Sequence, residues 1–249
     1  MDKIAIISDI HGNIPALETV LADIERRGIE TIYCLGDLVG KGPQSALAVD
    51  SCRQRCTAIV RGNWDEMITE AREEAGIQWH QAQLGPERLA YLRHLPNTVE
   101  FQMSGRQIRL FHASQTGIYN RVFEDAPYET HLAMFENTSF TGYGRPPNGR
   151  PLPDVVGYGD IHAPFARTLY RHQKTLFNSG SVGNPLDEPT AAYAILEGHL
   201  DSSTAAPFAV QLLRLPYDIE RAIALAAEME MPELEPYAME LRTAVYRGR

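Results

Sequence analysis

Seven residues scattered along the chain carry atoms suited to divalent cations: Asp9, His11, Asp37, Asn63, His112, Asp160 and His162. Carboxylates supply charge and can bridge two ions, imidazoles supply neutral nitrogen, and an asparagine amide adds an oxygen without charge. A pair of divalent ions in such a set can share a carboxylate and a hydroxide, acidify that water and clamp the oxygens of a phosphoryl group. The chemistry indicated is metal-assisted attack on phosphorus. Singly, an Asp-x-His or a Gly-Asp is common in any protein; the order and local context of all the pieces make the case.

Those side chains need a frame that brings them together. Residues 4–8 read as a buried strand and residues 14–27 as an amphipathic helix, with Ala16, Leu17, Val20, Leu21 and Ile24 on one face. Strand 31–35, helix 45–55 and strand 57–61 repeat the pattern, which implies a parallel sheet with functional residues at the carboxyl ends of its strands. Asp9, Asp37 and Asn63 each follow a strand and would share one sheet edge. Residues 67–95 read as helix in pieces broken near Gly76 and Gly85-Pro86, and 98–103 with 107–111 as a hairpin that delivers His112. Strands are expected at 155–158, 166–170, 175–178, 191–196 and 208–215, and helices at 219–229 and 233–245. Between them, residues 114–153 hold one helix near 128–137 and a Gly/Pro-rich stretch at 142–149. A long irregular segment inside a compact domain reads as a binding loop or lid. The expectation is one domain over 1–249 with that insert.

The 249 residues, 44% hydrophobic, suffice for one well-buried core. A net charge of -9 with no Lys/Arg run argues against a nucleic-acid backbone as partner. It leaves phosphorylated small molecules or nucleotides open, because bound metals override the local sign of the surface. The opening residues enter a strand at once, without a signal-peptide or membrane-spanning run, so a cytoplasmic location is expected. Cys34, Cys52 and Cys56 cannot complete a thiolate zinc site and read as reduced thiols.

The motifs Asp9-Ile10-His11, Gly36-Asp37, Gly62-Asn63-Trp64-Asp65, His112 and Gly159-Asp160-Ile161-His162 resemble those of the calcineurin-like metallophosphoesterase superfamily. Gly180-Ser181-Val182-Gly183 is similar to a segment of its small bacterial and archaeal members. The resemblance spans almost the whole chain. It implies an α/β fold, a four-layer α-β-β-α sandwich of two mixed β-sheets flanked by helices. It also implies two metal ions per chain, and a ligand set with three carboxylates favours manganese or iron over zinc. Asp9, His11, Asp37 and His162 would hold one; Asp37, Asn63, His112 and the Asp160 position would hold the other. Two residues depart from the pattern: Trp64 stands where many relatives carry a histidine thought to protonate the leaving group, and Asp160 stands where an imidazole is expected. Arg61 and Lys41 resemble phosphate-binding arginine positions in serine/threonine phosphatases and dinucleoside tetraphosphatases, and His131, from the insert, is a third substrate-binding candidate.

Catalysis is thus expected to rest on Asp37, Asn63 and Arg61, with a metal-bridging hydroxide attacking in line. A phosphodiester, or a phosphoanhydride, is the expected substrate, since a missing general acid matters least for aryl or nucleotide leaving groups. The rivals are a phosphomonoesterase, such as a protein phosphatase or dinucleoside tetraphosphatase, and a binding scaffold that keeps the fold without turnover.

Overall fold

The computed structural model describes residues 1–142 and 151–247. The first sheet contains β1 (Asp2–Ile7), β2 (Thr31–Cys34), β3 (Ala58–Ile59), β9 (Ala191–Gly198) and β10 (Ala209–Leu215), in the order β10-β9-β1-β2-β3. The second contains β4 (Thr98–Met103), β5 (Arg106–Phe111), β6 (Val155–Tyr158), β7 (Phe165–Leu169) and β8 (Lys174–Asn178), in the order β4-β5-β6-β8-β7. Strands β1, β2 and β3 run parallel, as do β5, β6 and β8; β9 lies antiparallel between β10 and β1, and β4 and β7 flank the second sheet as antiparallel edges. The expected pair of mixed sheets is therefore present, and the parallel strands of each point the same way.

Alternation along β1 explains the layering. Ile4 and Ile6 face the second sheet, where they meet Ile108, Leu110, Val155 and Phe177. Ala5 and Ile7 face outward onto Leu17, Val20 and Ile24 of α1 (Ile14–Arg26), Val49 and Cys52 of α2 (Ser45–Arg55), and Leu84 and Leu92 of α4 (Ala75–Arg93). A strand buried on both faces reads as an unbroken apolar run, as here. On the far side, Phe111, Val156, Tyr158 and Leu176 are covered by Val122, Met134 and Phe135, beside α5 (Tyr128–Ala133). The outer layer on that sheet thus comes from the insert. Of the Gly/Pro-rich stretch at 142–149, residues 143–149 lie outside the described residues.

Local differences have physical causes. The third strand shortens to Ala58–Ile59, and α3 (Asn63–Met67) begins at Asn63 itself. Gly85, at φ 67° before Pro86, kinks α4 as anticipated, whereas Gly76 sits inside its first turn. Helix α6 (Ile219–Glu228) packs against α1 and α7 (Leu234–Thr243). No described helix is long and apolar enough to cross a membrane, and the three cysteines are free thiols.

Candidate metal centre

Five of the six parallel strands, all but β8, lead into a turn that carries a donor residue. Asp9 and His11 follow β1, Asp37 follows β2, Asn63 follows β3, His112 follows β5, and Asp160 and His162 follow β6. Backbone bonds lash these turns together: Asp9 N–H donates to Gly36 O (2.9 Å), His11 N–H to Asp37 O (2.9 Å), and Gly159 N–H to His112 O (2.8 Å). Asp9, His11, Asp37, Lys41, Asp160 and His162 all adopt positive φ, between 48° and 64°. Non-glycine residues rarely do so, and they gather where tertiary structure over-determines the backbone. Gly36 (φ +92°) takes the same region without strain because it has no Cβ, which would meet Gly62 N at 2.4 Å; a Cβ on Gly62 would meet Asp37 Oδ1 at 2.1 Å.

All three histidines are buried and oriented by backbone carbonyls. His11 Nδ1 donates to Val39 O (3.0 Å), His112 Nδ1 to Leu35 O (2.7 Å), and His162 Nδ1 to Asn184 O. A carbonyl only accepts, so each ring carries a proton on Nδ1 and turns Nε2 inward, where it can offer a lone pair to a metal once deprotonated. There His11 Nε2 and His162 Nε2 stand 3.3 Å apart. His162 Nε2 is 3.2 Å from Asp9 Oδ1, a fully buried oxygen without a hydrogen-bond donor among the described residues. Lone pairs and carboxylate oxygens converging in a dry site repel one another unless a cation lies among them. The donor set fits divalent metal on this ground.

Among the described residues two overlapping triads emerge, Asp9 with His11 and His162, and Asp9 with Asp37 and His112. Asp37 lies between the two imidazoles, its Oδ2 3.6 Å from His11 Nε2 and its Oδ1 3.5 Å from His112 Nε2. Asn63 Oδ1 is 2.9 Å from His112 Nε2. The electrostatics report the same shortage of positive charge. Burial pushes Asp37 well above the carboxylate range. Burial also opposes the charged form of His112, yet Asp37, Asp9 and Asp160 raise it to about 9. Burial, Lys41 and His162 hold His11 neutral. Against the upward push of burial, His162 and the other imidazoles keep Asp9 below the usual range.

Asp65, which sequence reasoning left without a role of its own, organises the turns. Its carboxylate accepts from Asp37 N–H (2.8 Å), Leu38 N–H (2.9 Å) and Gly62 N–H (2.9 Å). The signal was available: Asp65 lies three residues after Gly62, the spacing of a capping box. Trp64 packs on Gly40 and stands edge-on to the His11 ring at 5.9 Å, while its backbone N–H donates to Asp37 Oδ1 (2.8 Å).

A cavity of about 610 Å³ opens over the cluster, with Asp37, Lys41, Trp64, Arg121, Asp160 and His162 among its lining residues. Lys41 Nζ donates to Asn184 Oδ1 (2.6 Å), and burial lowers the ammonium to about 8. Asp160 Oδ1 lies 3.8 Å from His112 Nε2, and the same carboxylate takes a two-pronged grip from Arg121 at 2.9 and 3.0 Å. Two candidates fall elsewhere. Arg61 donates to Asn97 Oδ1 (3.0 Å) and pairs with Glu66 (3.5 Å). His131 is buried, its Nε2 donating to Phe123 O (3.0 Å). Neither lines the cavity. Arg121 and the C-terminal Tyr246, which do, carried no motif that could have marked them.

Residues 2–200 match the model of the calcineurin-like phosphoesterase superfamily domain. An uncharacterized protein of Methanocaldococcus jannaschii is 30% identical, over 92% of this chain and 94% of its own length. Phosphodiesterase YfcE of Escherichia coli is 27% identical, over 82% of this chain and 92% of its own. Among solved structures, a metallophosphoesterase from Sphaerobacter thermophilus superposes with a TM-score of 0.76 at 25% identity, covering 98% of this chain and 100% of that one. A hypothetical protein from Pyrococcus horikoshii shares the fold, with a TM-score of 0.75 at 20% identity and complete coverage of both chains. With the family's motifs gathered at one edge of the family's fold, the chain belongs to the calcineurin-like phosphoesterase superfamily of metal-dependent phosphoesterases.

Proposed function

We propose that the protein is a dinuclear phosphodiesterase. The observation that carries the reading is the set of inward-facing Nε2 atoms and carboxylate oxygens, buried beneath an open cavity. Asp9, His11, Asp37 and His162 would hold one ion, and Asp37, Asn63, His112 and Asp160 the other, with Asp37 shared. Ions bound there would act as Lewis acids on a phosphoryl oxygen and would acidify a water as nucleophile.

The chain's own residues orient the substrate. Lys41 reaches the cavity from the His162 side through Asn184 and offers a cation to a non-bridging oxygen. Trp64 offers no proton to a leaving group, which favours esters of acidic alcohols. A second hollow of about 370 Å³ shares Phe123, Ile161 and Ala163 with the first, giving room for a second ester group. A diester fits two adjoining hollows better than a monoester does. Arg61, engaged with Asn97 and Glu66, adds nothing to the monoesterase alternative.

Metal analysis of protein purified without added metal, joined to turnover of matched aryl diesters and monoesters, tests the reading. Two ions per chain and faster diester turnover are expected. Bound metal with no turnover of either class would favour the scaffold alternative, and faster monoester turnover the phosphatase.

A further inference from the structure

The carboxylate that replaces the expected imidazole is not alone. Asp160 is nearly fully buried, and the guanidinium of Arg121 meets it side-on, Nε to Oδ2 at 3.0 Å and Nη2 to Oδ1 at 2.9 Å. Nη1 has no protein partner among the described residues, and Arg121 lines the cavity over the cluster.

The segment carrying Arg121 is pinned from several sides. Tyr158 Oη donates to Val122 O (2.8 Å), and His131 Nε2 donates to Phe123 O (3.0 Å). Tyr119 Oη reaches Asn63 O at 3.4 Å, tying the same segment to the start of α3. His131 therefore bears on the site indirectly, as an anchor of the arm. A guanidinium fixed by one edge on a carboxylate and open on the other suits the paired oxygens of a phosphoryl group.

We propose that Arg121 is a substrate-binding residue that grips a non-bridging oxygen of the phosphodiester, and that Asp160 is its positioning residue. The inference rests on the phosphodiesterase reading for its substrate. Its geometry depends only on Arg121, Asp160 and the pinned arm. Lys41 and Arg121 then serve opposite ends of the cluster, one beside Asn184 and His162, the other beside Asp160 and His112.

The test uses full-length, metal-saturated protein and two variants, R121Q and R121K. Inorganic phosphate is titrated by calorimetry, the metal content is measured, and KM and kcat are followed with bis(p-nitrophenyl) phosphate. A lost charge-assisted hydrogen bond corresponds to about 10- to 100-fold in affinity. R121Q is expected to weaken phosphate by that factor and to raise KM similarly with kcat little changed, the pattern of lost uniform binding. R121K, which keeps charge but not the fork, should recover part of the loss. Metal content should match wild type. Phosphate affinity and KM within twofold of wild type in R121Q overturn the proposal, as does metal loss repaired by reloading with phosphate affinity intact. If wild type binds phosphate through Arg121 but turns over no diester, the functional reading fails and this one stands. If metal-saturated wild type binds no phosphate, the Arg121 assignment falls.

Discussion

The two sides of the donor cluster are built differently. On one side, Asp9, His11 and His162 are buried, and backbone carbonyls fix both rings. On the other, His112 is fixed in the same way, but its neighbours are the half-buried Asn63 and the buried Asp160, whose carboxylate is shared with a half-exposed arginine from the insert. The first side is a preformed cage; the second couples the candidate ligands to the groups that face substrate. Strand-end turns bonded to one another leave little freedom, whereas a side chain held by another side chain can be retuned by one substitution.

Asp37 joins the two sides, so its loss should have the largest effect. Asp37→Ala should weaken both ions by more than the ~100-fold reached by outer partners and abolish turnover, while Asn63→Ala should preferentially empty the second side. Elemental analysis reads both. Two ions retained by Asp37→Ala would show that Asp9, common to both triads, is the bridge instead.

Asp65 supports the turns of both sides at once. Asp65→Ala strands three buried N–H groups at about 1–3 kcal/mol each, so urea unfolding should report a stability loss of several kcal/mol. An unchanged midpoint would mean that water replaces the carboxylate.

Asp160→His isolates the second side. It removes the partner of Arg121, and fewer anionic oxygens should shift preference from manganese or iron towards zinc. Competition between metals measures this, and identical selectivity in the variant would show that Asp160 serves Arg121 alone.

Lys41 gives the smallest and most selective effect, on the first side. In the folded protein its ammonium deprotonates near about 8, against an ordinary value of 10.5. KM for an anionic diester should therefore rise above that pH, by about tenfold or less for one charge-assisted bond, and Lys41→Met should flatten the rise. Between those two values the unfolded chain binds the extra proton, so stability should increase with pH across that window. A Lys41→Met variant that keeps this increase would assign it to another group.

Much of the fold was legible because its signals are local. The apolar run at Ile4–Ile7, the amphipathic face of α1 and the hairpin turn at Ser104-Gly105 follow from side-chain periodicity and turn chemistry. The insert was harder to read. Val122, Met134 and Phe135 form no long periodic face, so their packing against the second sheet was invisible, as was the burial of His131. Arg61 shows the converse, since its place beside Gly62-Asn63 suggested substrate contact and its bonds run to Asn97 and Glu66.

The sequence by itself determined which atoms could bind metal and the strand ends that carry them, because donor chemistry and strand periodicity reside in neighbouring residues. Only the tertiary structure decided which atoms meet. Asp65 reaching the Asp37 turn, Asn184 holding both Lys41 and His162, and Arg121 closing on Asp160 join residues 28, 143, 22 and 39 positions apart. Such pairings depend on how two sheets and an insert pack together, and no local pattern encodes that.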